Sequence, residues 1–212
     1  MAGLEFASLY ALQDRVLDCV FAVETGFYLT GGTCLHRFYY PERHSVDLDL
    51  FSNDNALYRE DVRRIVHALK ERGFSSESVV DSRDFVRLMV NGELQVDLVN
   101  DRVYRSGRSV RMETGTVVDN LQNLAANKIC AILGRDDPKD VFDLYTLYRH
   151  QAVQWPLVLE DAAQKCAFDP ETLMFRLNAF PLQLLDDLHV ANPSLVSEMK
   201  QDYRAMVHAI LA

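Results

Sequence analysis

Long apolar runs are missing from this 212-residue chain. None approaches the roughly 18 residues that a membrane-spanning helix needs, which excludes a helical membrane protein. Met1 to Tyr10 lack a basic start followed by an apolar core, so no secretion signal is expected and the cytoplasm is the expected compartment. Cysteine is sparse: Cys19, Cys34, Cys130 and Cys166 show neither CxxC nor Cys/His ligand spacing. Disulfides are not expected in a reducing compartment, and the thiols read as buried and free. The histidines are dispersed without an HExxH pair, which argues against zinc. An excess of positive charge is also missing, since a net charge of -9 does not suit a protein that coats nucleic acid non-specifically. Low-complexity segments and internal repeats are absent.

What is present is an ordinary globular composition, 49% hydrophobic and 25% charged. The length suits one substantial domain, or a catalytic domain with a smaller helical one. Two basic groups stand out locally: Arg102, Arg105, Arg108 and Arg111 with Tyr104 among them, and Arg63, Arg64, Lys70 and Arg72. Each reads first as a solvated face, and together they leave a nucleic-acid or nucleotide substrate open.

Apolar spacing near 3.6 predicts a helix over Phe6 to Val23, with Leu9, Leu12, Val16, Leu17 and Val20 as its stripe. Gly26 ends it, and Phe27 to Thr30 reads as a buried strand. A glycine pair leads into a helix from Thr33 to about Tyr39, stopped by Pro41. Val46 to Phe51 alternates as a strand, with Val46, Leu48 and Leu50 facing the core. Asn55 to Arg72 reads as a helix stopped by Gly73. Strands are expected over Phe74 to Val80, Asp84 to Val90 and Glu93 to Asn100, the last two joined at Asn91-Gly92. A short hairpin through Gly107 is expected to pair Val103-Tyr104 with Val110 to Met112. Helices follow over Asp119–Leu133, Pro138–His150, Trp155–Ala167, Pro170–Ala179 and Leu195–Leu211, with Asp136 or Asp137 available to cap the second. Mixed elements followed by helices alone indicate an α+β chain, with residues 1–118 as the core and 119–212 as a helical C-terminal region.

The segment LTGGTCLHRFYYPERHSVDLDLF, residues 29–51, carries the chemistry. Gly31 and Gly32 let the backbone approach a ligand closely, and the amides of a helix start suit a phosphate. Thr33 can cap that helix or offer its hydroxyl. Alone, such a turn is also plain helix entry. Asp47 and Asp49 are two apart in a strand, so both carboxylates project to one side. Like charges this near repel unless cations hold them, and an oxygen-only set suits Mg2+ or Mn2+. The plain reading is an exposed acidic pair at a strand edge. Asp97 interrupts a second apolar strand, where an unpartnered charge is costly. If its strand lies beside that of Asp49, three carboxylates converge as in a two-metal site.

Gly-Gly-Thr followed by Arg43-His44-Ser45-Val46-Asp47-Leu48-Asp49-Leu50-Phe51 resembles the AbiEii-type nucleotidyltransferases, which include toxins of toxin–antitoxin and abortive-infection systems within the DNA-polymerase-β-like superfamily. Asn127-Lys128 and then Pro138-Lys139-Asp140-Val141-Phe142-Asp143-Leu144 extend the resemblance to about two-thirds of the chain. It implies a polymerase-β-like core, a mixed sheet flanked by helices, whose active-site cleft the helical C-terminal part completes. Gly31, Gly32 and Thr33 would then hold a nucleoside triphosphate. Asp47, Asp49 and Asp97 would bind the metals, and Asp97 could help deprotonate the attacking hydroxyl. Lys128 would neutralise phosphate charge, with Asp143, and Asp140 near the nucleotide, positioning it. Read from the residues alone, Asp140 and Asp143 share a helix face, and a structural ion pair with Lys128 explains them equally well.

The expected activity is transfer of a nucleoside monophosphate from an NTP to a hydroxyl acceptor with Mg2+ or Mn2+. The resemblance implies a tRNA 3′ end or a protein side chain as acceptor, growth inhibition as the effect, and a cognate antitoxin as a partner. Asp-x-Asp also marks metal-dependent glycosyltransferases, and a non-catalytic nucleotide- or antitoxin-binding protein of the same fold is the remaining alternative. The segment after Arg149 carries no site of its own. Trp155, Phe168 and Phe175 read as helical packing there.

Overall fold

In the computed structural model, residues 2–212 are described, with side chains from residue 6 onward. The chain forms two compact units. One comprises the chain up to Cys34 together with Ser45–Arg102 and Ser109–Asp119. The other comprises Leu35–His44, Val103–Arg108 and Asn120–Ala212.

The first unit holds a mixed seven-stranded sheet in the order β3-β4-β5-β2-β1-β7-β6. Its strands are β1 (Tyr28–Thr30), β2 (Leu48–Asn53), β3 (Ser76–Asp81), β4 (Phe85–Val90), β5 (Leu94–Asp101), β6 (Val110–Arg111) and β7 (Val117–Val118). β2 runs parallel to β5 and β1 parallel to β7, while the β1/β2, β3/β4, β4/β5 and β6/β7 pairs are antiparallel. Its long helices are α1 (Ala2–Ala22) and α3 (Tyr58–Glu71). On α1 the expected stripe is buried at Leu12, Val16, Leu17 and Val20. On α3 Val62, Ile65 and Leu69 are buried while the basic side chains face out, where Arg63 and Arg64 pair with Glu60. Two members of that basic group are thus paired locally, and such exposed pairs add little stability.

Asn91 and Gly92 turn β4 into β5 with φ of 53° and 71°, the left-handed pair that such a two-residue turn demands. The expected hairpin through Gly107 does not form. Val110 and Arg111 pair with Val118 and Val117 across a turn at Gly115. Val103–Arg108 instead belongs to the helical unit, because its polar groups find better partners there. The Ser106 hydroxyl donates to Asp161 at 2.6 Å, and its amide donates to the Asn123 side chain at 3.0 Å.

The second unit consists mainly of α4 (Leu121–Gly134), α5 (Pro138–Arg149), α6 (Trp155–Lys165), α7 (Pro170–Ala179) and α8 (Ser194–Leu211), with a short 3-10 turn at Leu182–Asp187 that the sequence pattern missed. Side-chain caps start three of these helices: Asn120 on the Asn123 amide, Asp137 on that of Lys139, and Asp169 on that of Thr172. Trp155 is buried as expected, but Phe175 is 71% exposed. The extended segment Glu42–His44 is held by residues 189–191, through the His44 amide to the His189 carbonyl and the Ala191 amide to the Glu42 carbonyl, each 2.8 Å.

Candidate active site

The sheet brings a row of polar residues across four neighbouring strands. Thr30 on β1 faces Asp49 on β2, Asp49 faces Asp97 on β5, and Asp97 faces Arg87 on β4. Cross-strand partners share a face, so these side chains project to one side of the sheet. The adjacent positions Leu29, Leu50, Leu98 and Val86 form a buried apolar row pointing the other way. At the end of the polar row the Thr30 hydroxyl donates to Asp119 at 2.9 Å, and Asp119 is fully buried.

Gly31 follows Thr30 with φ of 69°, and a Cβ built on it would lie 2.1 Å from Oδ2 of Asp49. The Asp49 carboxylate therefore fills the space that any other residue at 31 would need. Gly31→Ala is expected to combine left-handed strain of about 1–3 kcal/mol with displacement of Asp49. Gly73→Ala has the same kind of φ, 81°, with nothing within 4 Å of the added carbon, and supplies the control. Thermal melts should show the Gly31 variant losing clearly more than the Gly73 variant. Equal losses would remove the Asp49 contact from the argument.

Gly31–Cys34 makes one short helix, α2, continued by a wider turn over Leu35–Tyr39 in which the Tyr40 amide bonds the Leu35 carbonyl. The expected helix over Thr33–Tyr39 is thus present but widened, a feature often found near functional sites. Thr33 is fully buried and its hydroxyl donates to the Asp47 carbonyl at 2.5 Å, tying the glycine turn to the acidic pair. That proton is committed, so a phosphate would meet backbone amides here. Asp47 lies just before β2, half-buried, with the Ser45 hydroxyl 3.4 Å from its Oδ1. The Gln13 side chain holds the Ser45 carbonyl at 3.1 Å, so this stretch departs from the strand line, and Val46 is 47% exposed rather than packed in the core.

Arg87 grips Asp97 with both arms, Nε to Oδ1 and Nη2 to Oδ2, each at 2.7 Å. Gln95 donates to Oδ2 as well, at 3.3 Å. The negative charges of Asp97, Asp49 and Asp47 all raise the Arg87 pKa, the Asp97 hydrogen bonds most, which places one guanidinium in the field of all three carboxylates. Among the described residues no group of three His, Cys, Asp or Glu side chains is gathered closely enough to hold a metal. The all-carboxylate chemistry of Asp47 and Asp49 fits a hard divalent ion, and both oxygens of Asp97 already accept from Arg87.

In the helical unit Lys128 on α4 lies 2.8 Å from Asp140 and 2.6 Å from Asp143, both on α5. Asp143 is wholly buried and takes further bonds: His36 Nε2 at 2.8 Å, Arg43 Nε at 2.6 Å and Arg43 Nη2 at 2.8 Å. Asp140 also accepts from Arg135 at 2.7 Å. Burial alone would raise the Asp143 carboxyl, but Arg43, Lys128 and His36 overcome it and hold it well below 3.8. Asp140 is lowered in the same way against its own burial, chiefly by Lys128 and Arg135. Burial disfavours the Lys128 ammonium, yet Asp143 and Asp140 raise its pKa above 10.5.

The signs fix a pH dependence. Carboxyls depressed in the folded state contribute fully above 3.8 and lose that contribution as pH falls through their folded values. A raised lysine contributes fully below 10.5 and loses its share as pH climbs through its folded value. Urea midpoints are therefore expected to show no contribution from Lys128, Asp140 and Asp143 to any slope between those limits and a fall on the acid side, which Asp140→Asn should shrink. An unchanged acid limb in that variant would remove Asp140 from the cluster's energetics.

The profile of the family described as nucleotidyl transferase AbiEii toxin, Type IV TA system, matches residues 15–212. The chain belongs to the AbiEii family. Among solved structures, JHP933 from Helicobacter pylori is similar over 100% of this chain and 92% of its own, at 21% identity and a TM-score of 0.61. MenT4, the nucleotidyltransferase toxin Rv2826c of Mycobacterium tuberculosis H37Rv, is similar over 96% of this chain and 84% of its own, at 16% identity and a TM-score of 0.65. No curated protein matches the chain. The fold is the polymerase-β-like nucleotidyltransferase fold with a helical C-terminal part, and AbiEii membership makes the protein a nucleotidyltransferase.

Within this AbiEii chain the residues quoted from the sequence fall into two sets. Gly31, Gly32, Thr33, Asp47, Asp49 and Asp97 lie in the sheet unit, and Lys128, Asp140 and Asp143 in the helical unit. Sequence reasoning passed over Arg87, Thr30, Asp119, His36 and Arg43. Arg43 stood inside the quoted motif, and its position there was the available signal. Arg87 became visible only once β4 was known to lie beside β5.

Proposed function

We propose that this AbiEii-family protein transfers a nucleoside monophosphate from an NTP to a hydroxyl acceptor, a tRNA 3′ end or a protein side chain, and acts as a toxin-like enzyme in the cytoplasm, restrained by a cognate antitoxin. The observation that carries the reading is the contact between Gly31 and Asp49: the turn suited to phosphate and the carboxylate suited to a metal are built around each other. Asp47 and Asp49 would hold Mg2+ or Mn2+, with Asp97 beside Asp49 in the sheet as the third carboxylate. The ion would offset charge on the phosphates and on the attacking oxygen.

The chain's own groups take the remaining tasks. Backbone amides at Gly31, Gly32 and Thr33 bind phosphate oxygens. Asp97 would take the acceptor proton on an oxygen that Arg87 gives up, since both oxygens accept from that guanidinium. Lys128 has three donor protons; Asp140 and Asp143 take two, and the third serves a phosphate. Asp143 and Asp140 hold that ammonium charged and in place.

The test is transfer of label from each α-labelled NTP into total tRNA and total protein, with Mg2+ or Mn2+. Wild type is expected to label one fraction, and Asp47→Ala/Asp49→Ala is expected to label neither. Label in neither fraction from folded wild type that binds NTP would overturn both acceptor classes.

A further inference from the structure

Four cysteines scattered through the sequence show no pairing pattern, yet two of them meet in the helical unit. Cys130 sits on α4 and Cys166 caps the C-terminus of α6, 36 positions apart. Their sulfurs are 2.7 Å apart. Both thiols gather on one carbonyl, that of Ala162, at 3.7 Å from Cys130 and 3.4 Å from Cys166. Both are half-buried, so a small reagent can reach them, whereas Cys19 and Cys34 are fully buried. Burial pushes the Cys34 thiol well up, with Asp119 adding to it, and raises Cys19 as well, which keeps both as unreactive thiols.

We propose that Cys130 and Cys166 form a redox modification site, a dithiol that closes to an intramolecular disulfide by exchange with a low-molecular-weight disulfide such as glutathione disulfide. One protein thiolate attacks glutathione disulfide, breaking its S–S bond, forming a mixed disulfide and releasing one glutathione. The second protein thiolate attacks the protein sulfur of that adduct, forming the Cys130–Cys166 bond and releasing a second glutathione. Two electrons pass from the protein to the glutathione pair, and the two thiol protons end on the released glutathiones. The bridge ties the end of α6 to α4, the helix that carries Lys128. It closes a long loop, and a bridge of that kind restricts the unfolded chain more than a short one does.

The test uses the whole chain incubated with glutathione disulfide, followed by intact mass and peptide mapping without reduction. Expected are a loss of about 2 Da, one cross-linked peptide pair containing Cys130 and Cys166, reversal by a dithiol reductant, and a higher melting temperature when oxidised. Cys130→Ser should convert the outcome to a stable glutathione adduct on Cys166, with no rise in melting temperature. Glutathione adducts persisting on the wild-type pair, a bridge through Cys19 or Cys34, or no reaction at either thiol would each overturn the proposal.

Discussion

Asp143→Asn is expected to destabilise the helical unit by about 3–5 kcal/mol, the usual cost of removing one partner from a buried ion pair. The carboxylate is fully buried and surrounded by Arg43, Lys128 and His36. Asparagine keeps the shape and loses the charge, so two buried cations would be left without their shared anion. Its amide would also turn donor hydrogens toward groups that are themselves donors. In a chain of this length the loss corresponds to a drop of roughly 6–20 °C in melting temperature. Asp140→Asn should cost less, because Lys128 keeps Asp143 and the Arg135 side chain is 61% exposed and can turn to water. The two variants, compared by urea denaturation, decide whether Asp143 is the centre of this cluster. A loss for Asp143→Asn no larger than for Asp140→Asn would show that it is not.

The same cluster also holds the segment that follows the glycine turn in the chain. His36 and Arg43 lie between Gly31-Gly32-Thr33 and Asp47, and Asp143 holds both. The same segment is fixed again by Glu42, whose Oε1 accepts from Arg149 at 2.5 Å and faces His150 Nε2 at 2.8 Å. A helical region given no role by sequence pattern, residues 150–212, supplies the strand-like partner at 189–191. Within the helical unit, Asp143 of the Lys-Asp-x-x-Asp motif thus holds the segment that carries His36 and Arg43.

Local signals were the legible ones. Asn91-Gly92 announced its turn because only left-handed residues close such a hairpin, and Asp137 announced a helix start because its carboxylate bonds a free amide. Asp49 was legible from strand periodicity, but Asp47 lies just before β2, where the Gln13 bond to Ser45 accompanies a departure from the strand line. What required the structure is everything set by strand order. β5 enters the sheet between β4 and β2, and that placement alone puts Arg87 on Asp97 and Asp97 beside Asp49. Val103-Tyr104 read as one arm of a hairpin from its valine and tyrosine, but hydrogen bonds of Ser106 to Asn123 and Asp161, distant in sequence, accompany a different placement of the segment. Cys130 and Cys166 were invisible for the same reason.

Asp49→Asn is expected to reverse the pattern of Asp143→Asn, abolishing transfer while leaving the fold intact. Charge stabilisation by a metal at the reacting phosphate is worth several kcal/mol, so the loss should be on the order of 10³-fold in turnover. Asparagine retains the size of the side chain that fills the space beside Gly31, so the turn has no reason to move. Removing one charge from a row that also holds Asp47 and Asp97 relieves like-charge repulsion and offsets the weaker pull on Arg87, so the melting temperature should hold. A loss of transfer without a loss of stability would separate Asp49 from a structural ion-pair residue such as Asp143. Initial rates of label transfer and thermal melts on the same preparations provide the measurement. Full turnover in Asp49→Asn would remove Asp49 from the reaction, and a melting temperature that collapses with turnover would assign it a structural role like that of Asp143.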